Sequence, residues 1–199
     1  FVKCVKLAKE YARKKDVLLI NQFSNKLNID THYNTTAKEI LNKLNNIGGF
    51  VSGVGSGGTL MGVTNRLKEV FPNLKVALVE PKNSEIINKN KVNSHKIEGI
   101  ADDFIPDNFK KENITHYYSI SDDDAITMSK MLAKELGLGV GISSGANFLG
   151  SVLLNEDVNN VVTIFSDDNK KYLSILKDDV FIKQDYISND IKLLGYEVV

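Results

Sequence analysis

Gly53 to Thr59 reads G-V-G-S-G-G-T, with four glycines among the six residues before its final threonine. Glycine at that density lets a backbone approach another group closely, and between a strand and a helix that group is usually a phosphate. Successive main-chain N–H groups and the Ser56 and Thr59 hydroxyls converge on one spot at the positive end of a helix dipole. A dinucleotide, a nucleoside triphosphate or a smaller phosphate ester could occupy it. Gly53, Gly55 and Gly58 satisfy G-x-G-x-x-G, and Glu80 follows about 20 residues on, where a ribose-binding acid belongs. The motif follows the second apolar run of the chain, however, whereas the dinucleotide fingerprint normally opens its βαβ unit. A triphosphate loop needs Gly-Lys-Ser/Thr, and Gly58-Thr59-Leu60 stands there instead. The remaining alternative is a tight strand-to-helix turn that binds nothing. The three histidines and single cysteine form no cluster with metal-ligand spacing, so no metal is expected.

The elements that must position this loop follow from apolar periodicity. Cys4, Leu7, Ala8, Tyr11 and Ala12 recur at helical spacing, with Cys4 expected in the core. Val17-Leu18-Leu19-Ile20 reads as a strand buried on both faces. Residues 21–30 read as a polar loop, and Thr36 to Leu44 as a helix. Phe50-Val51 is a strand, followed by the glycine loop and a helix through Val70 that Pro72 closes. Lys75 to Val79 is a further strand. Ser121 starts a helix whose first turn carries Asp122, Asp123 and Asp124, and Gly137 caps its end. Ser143-Ser144-Gly145 opens a helix to about Leu154, and Val161 to Phe165 is a last strand. Strands alternating with helices give an α/β fold, a three-layer arrangement with a mainly parallel sheet flanked by helices. Residues 1–176 read as one phosphate-binding domain, and 177–199 as a docking tail.

The 199 residues carry 25 basic and 25 acidic side chains, a balance that argues against nucleic acid or an anionic membrane as partner. A single cysteine excludes an internal disulfide framework and fits a reducing, cytoplasmic compartment.

Several segments resemble, in order, the cysteine synthase and cystathionine β-synthase family of fold-type II pyridoxal-phosphate enzymes. "GSGGTLMGV" is similar to its phosphate loop, and "NQFSNKLNIDTHYNTTAKEI", from Asn21, to its Q-F-x-N-x-x-N-x-x-x-H-Y-x-T-T-x-x-E-I. "VEPKNS", "HKIEGIADDFIP", "GISSGAN" and "YLS" match four further family segments. The V-E-P match gives Glu80 a structural place and removes the ribose argument. The resemblance implies pyridoxal phosphate as cofactor, its phosphate cradled by Gly55, Ser56, Gly57, Gly58 and Thr59. It implies that Gln22 binds the carboxylate of an amino-acid substrate and that Gly99 and Ile100 line the substrate side. It assigns Ser143 to Gly145 a supporting role and leaves His95 structural.

Two departures stand out. Where the family places a serine at the pyridine nitrogen, Asp167 aligns, with Ser166 one residue earlier as the alternative. Ala101-Asp102-Asp103 replaces a glycine followed by small residues, and cystathionine β-synthases tend to carry an aspartate at the position of Asp103. A carboxylate there could act as general base on an attacking water or thiol, so Asp103, ahead of Asp102, is the catalytic candidate. Solvated acids on a loop are the alternative.

The family's S-V-K-D-R segment, whose lysine binds the cofactor, and its T-S-G-N-T substrate loop occur nowhere in the sequence. The chain is therefore expected to be the C-terminal portion of a longer β-replacement enzyme of cysteine metabolism, inactive by itself. Sulfide and O-acetylserine giving cysteine is the leading reaction; cystathionine formation and sulfide release from cysteine are the alternatives. A nicotinamide-binding domain and a non-catalytic binding module are the readings of other classes. Family members are often dimeric, which makes a homodimer the implied assembly.

Overall fold

Apolar strand residues alternate between two separate cores, and that alternation builds the molecule in three layers. The computed structural model describes residues 2–177 and 183–199. Its sheet has four parallel strands in the order β3-β2-β1-β4. These are β1 (Gly49–Gly53), β2 (Lys75–Pro81), β3 (His116–Ile120) and β4 (Val161–Thr163). Phe50, Val76 and Leu78 belong to the core on one face, Val51, Ala77 and Val79 to the core on the other. Successive side chains of a strand point to opposite faces, so a sheet covered on both sides needs unbroken apolar runs. The sequence supplies them in F-V and V-A-L-V.

On the first face lies α4 (Gly58–Val70), which brings Leu60, Met61, Val63 and Leu67 to the core. Two further helices, α2 (Lys26–Asn34) and α3 (Thr36–Lys43), pack outside α4. On the second face α7 (Ile142–Leu154) crosses all four strands and is backed by α6 (Asp122–Leu136). The ends of α6 follow local chemistry. The Ser121 hydroxyl accepts from the Asp124 N–H, and Gly137, at φ 71°, closes the helix by donating to Ala133 and Leu132. The short α5 (Ile86–Lys89) is capped by Glu80, whose buried carboxylate accepts from the Ile87 and Asn88 N–H groups at 2.7 and 3.0 Å. Burial raises the pKa of that acid. Its carboxylate is thus committed to the chain, which leaves the dinucleotide reading without its ribose ligand.

Four expectations change. Val17 to Ile20 forms no strand, and Leu18 and Ile20 are 87% and 69% exposed. A run of apolar residues favours pairing but cannot form a ladder without a neighbouring strand. The first helix, α1 (Val2–Tyr11), is present, yet Cys4 is exposed, as are Leu7 and Tyr11 on the same apolar stripe. Helix α2 occupies residues 26–34 although 21–30 were expected to form a polar loop, and β3 was not anticipated. Its H-Y-Y-S-I sequence lies at the sheet edge and is mostly half-buried, so it lacks an apolar run. Beyond 182, Tyr186 and Ser188 are buried against the start of α6; positions 178–182 of the expected tail lie outside the described residues.

Candidate functional site

β1 leaves for β2 through α4, while β4 arrives on its other side, so the sheet changes winding direction at the carboxyl end of β1. Crevices at such switch points are where open α/β sheets bind ligands. A cavity of about 450 Å³ opens there. Gln22, Phe23, Gly55, Ser56, Gly57 and Thr59 line one part of it, and Gly99, Ile100, Asp102, Asn147 and Ser166 line another.

The loop is shaped by its glycines. Gly57 precedes α4 at φ 83°, a left-handed conformation that a side chain rarely tolerates. A Cβ on Gly55 would lie 2.4 Å from the Gly99 carbonyl oxygen, so the two cavity walls meet backbone to backbone. The first amide groups of α4 have no intrahelical acceptor and offer their hydrogens to an anion. Both hydroxyls of the loop are held from behind. Asn28 Nδ2 donates to Ser56 Oγ at 2.8 Å, and His32 Nε2 lies 3.2 Å from Thr59 Oγ1. His32 Nδ1 contacts Thr36 Oγ1 at 2.9 Å, and burial lowers the pKa of the imidazole, favouring its neutral form. A hydroxyl that accepts from Asn28 keeps its own hydrogen for a ligand.

The opposite wall is tied to the sheet by Asn147, 2% exposed. It accepts from the Gly53 N–H and donates to the Ile164 carbonyl, both at 2.9 Å. The side chain thereby continues the β1–β4 ladder one step past its last backbone pair, at the point where Ser166 turns into the cavity. In the 99–102 segment Ala101 has φ 55°, its N–H donates to Val54 O at 2.8 Å, and its carbonyl is met by His95 Nε2 at 3.3 Å. Ala101 thus takes a left-handed conformation that glycine adopts most readily, and His95 holds the segment in place.

The cavity brings together Gln22, Gly55, Ser56, Gly57, Thr59, Gly99, Ile100 and Ser166 among the residues singled out from sequence. Three others lie outside its lining. Gly58 begins α4, buried against the Asn28 side chain, and contributes backbone only. Asp167 turns away: its carboxylate accepts from Tyr172 Oη at 2.8 Å and pairs with Lys171 Nζ at 2.8 Å. Asp103 is exposed, while its neighbour Asp102 is half-buried and lines the cavity. Of each adjacent pair, Ser166 and Asp102 line the cavity. Burial, and then the charge of Asp103, push the Asp102 carboxyl above its ordinary range.

Asn28, His32, Asn108 and Asn147 were not read from the sequence as site residues. The signal for the first two was their i, i+4 spacing on one helix, hidden because α2 has no fully buried residue to mark its inner face. Among the described residues no group of three or more His, Cys, Asp or Glu side chains could hold a metal ion, and no helix is long and apolar enough to cross a membrane.

Known proteins are similar to this chain over most of its length. A family model described as pyridoxal-phosphate dependent enzyme matches residues 1–167. Cysteine synthase B of Campylobacter jejuni subsp. jejuni is 42% identical over 159 residues, which is 78% of this chain and 53% of that protein. An O-acetylserine dependent cystathionine beta-synthase of Bacillus subtilis is 38% identical over 157 residues, covering 77% of this chain and 51% of the relative. The crystal structure of a hydrogen sulfide-producing enzyme from Fusobacterium nucleatum superposes with a TM-score of 0.92 at 46% identity, over 96% of this chain and 60% of that one. The chain thus spans about half the length of the curated relatives it matches.

Proposed function

We propose, from the premise that this chain belongs to the family of pyridoxal-phosphate dependent enzymes, that it provides the phosphate cup and part of the amino-acid site of a β-replacement enzyme of cysteine metabolism. The observation that carries this reading is the cavity at the end of β1, where the glycine loop meets Gln22, the 99–102 segment and Ser166. The residues present fit the cofactor. The cup offers backbone N–H groups and two hydroxyls backed by Asn28 and His32, and a side chain on Gly55 would fill the close approach to Gly99. When bound, pyridoxal phosphate supplies an electron sink for the electrons released as an amino acid loses its α-proton.

The chain's own contributions follow from its donors. Gly55 to Thr59 and the start of α4 hold the phosphate; Ser166, rather than Asp167, presents a neutral hydroxyl to the pyridine end. Gln22 receives the substrate carboxylate. The implied exchange replaces the β-substituent of a serine ester with sulfide, giving cysteine. Release of sulfide from cysteine is the second reading, supported by Asp102: a carboxyl with a raised pKa at the cavity wall can take a proton from an entering water or thiol. A homodimer and a cytoplasmic setting accompany both readings.

A fluorescence titration of the 199-residue chain with pyridoxal phosphate tests the cup. Binding is expected, weakened at least tenfold by combining Ser56→Ala with Thr59→Val, and absent with phosphate-free pyridoxal. No absorption band of lysine-linked cofactor should develop; equal binding of pyridoxal and its phosphate would overturn the assignment. The charge at Asp102 has its own signature. Asp102→Asn should tighten binding of inorganic phosphate about threefold at pH 8, corresponding to ~0.6 kcal/mol. The gain should shrink as the pH falls, because a carboxyl whose pKa is raised takes up its proton sooner than an ordinary aspartate. Asp103→Asn should change little at either pH, and the reverse ranking would return the role to Asp103.

A further inference from the structure

Two asparagines bridge the phosphate loop and the residue facing the substrate. Asn28 Nδ2 donates to the Gln22 main-chain oxygen at 3.0 Å and to Ser56 Oγ at 2.8 Å. Asn108 Nδ2 donates to the same Gln22 oxygen at 2.7 Å and to the Ser56 main-chain oxygen at 3.2 Å. They come from distant parts of the chain: Asn28 lies on α2, whereas Asn108 is 86 residues from Gln22. A side-chain amide has two hydrogens and a carbonyl oxygen two lone pairs. Each Nδ2 group therefore spends both its hydrogens on this pair of residues, and the Gln22 carbonyl fills both its acceptor positions. Asn108 is 4% exposed, so water is a poor substitute for either bond.

Resting on the phosphate-cup reading, we propose that Asn28 and Asn108 are positioning residues that couple the cup to the substrate side, so that an anion held at Ser56 presets Gln22 for a substrate carboxylate. Ser56 cannot move toward a bound phosphate without stretching a bond to each asparagine. Either asparagine passes that displacement to the Gln22 carbonyl through its second hydrogen. Coupling of this kind is reciprocal: a carboxylate drawn to Gln22 tightens the cup by the same factor.

The test is an NMR titration of the nitrogen-15-labelled 199-residue chain with inorganic phosphate, which occupies the cup alone. In the unsubstituted protein the amide signals of 55–59 and the backbone and side-chain signals of Gln22 should shift along one saturation curve. In Asn108→Ala and in Asn28→Ala the cup signals should still saturate, with affinity reduced no more than about fivefold, roughly 1 kcal/mol. The Gln22 shifts should fall by more than half in each variant and vanish in the double variant. A merely structural role would lower stability without separating the two sets of signals. Asn28 is only partly buried, so its variant keeps the test available where loss of Asn108 unfolds the chain. Gln22 shifts that persist in the double variant, or that are missing from the unsubstituted protein while the cup saturates, would overturn the coupling and leave the cup standing. No shift at 55–59 would overturn both.

Discussion

Substituting Gly55 with valine should weaken pyridoxal phosphate binding at least a hundredfold, equivalent to ~2.7 kcal/mol. The new Cβ would stand 2.4 Å from the Gly99 carbonyl oxygen, inside any allowed contact, and the obstacle is backbone rather than a side chain that can rotate aside. Relief requires moving the 99–102 segment away from β1, which lengthens the bond between Ala101 N and Val54 O and displaces Ile100 and Asp102 from the cavity wall. The added methyls then occupy the space where successive N–H groups converge. Overpacking of this kind costs about 1–3 kcal/mol of stability, so the melting temperature should also fall. Gly139→Ala, whose Cβ would first meet the rotatable Asn169 side chain at 3.2–3.4 Å, is the control for an added side chain away from the cup. Valine at 55 with affinity within threefold of the unsubstituted protein would refute the cup.

The second large effect belongs to the tail. Asp124→Ala is expected to destabilise the chain by ~3 kcal/mol, about three times the cost of an ordinary hydrogen bond, because two charge-assisted bonds go at once. The Asp124 carboxylate, 3% exposed, accepts from the Ile187 and Ser188 N–H groups at 3.0 and 3.2 Å. It also lies in the first turn of α6, where a negative charge complements the helix dipole. Without it Ile187, Ile191 and Leu193 lose the anchor that sets them against the second core. For a chain of this size the loss corresponds to a melting temperature lower by roughly 6–12 °C. Trypsin should cut after Lys183 and Lys192 markedly faster. Asp123→Ala, which removes only the Tyr186 hydroxyl contact at 3.1 Å, should cost about 1 kcal/mol. Unchanged proteolysis in Asp124→Ala would show that the apolar contacts alone dock the tail.

What could be read from the sequence follows physical rules that act locally. Strands buried on both faces, such as β1 and β2, announce themselves as apolar runs, and α6 carries its own cap at Ser121 and its stop at Gly137. The glycine loop was legible because its conformation demands glycine. Helix α2 was not, since its role is to hold Asn28 and His32 against the loop rather than to bury an apolar face. Val17 to Ile20 misled in the opposite direction, because composition records a tendency to pair and not the presence of a partner. At the site, a motif match could place the segments 99–102 and 166–167 but not choose between adjacent side chains. That choice depends on the left-handed turn at Ala101 and on the partners that turn Asp167 outward.

The place of the cavity in the sheet has a consequence for the order of events during folding. β1 and β2 are joined by a single helix and can pair early, but the contact between Val51 and Thr163 closes a separation of 112 residues. Contacts over such distances form late, after the loop-closure entropy has been met by shorter-range structure. Asn147 and Ser166 reach the cavity only with that last strand. A ligand at the end of β1 therefore recognises a chain that has finished folding, and its binding should lengthen the lifetime of the native state while leaving the rate of its formation almost untouched.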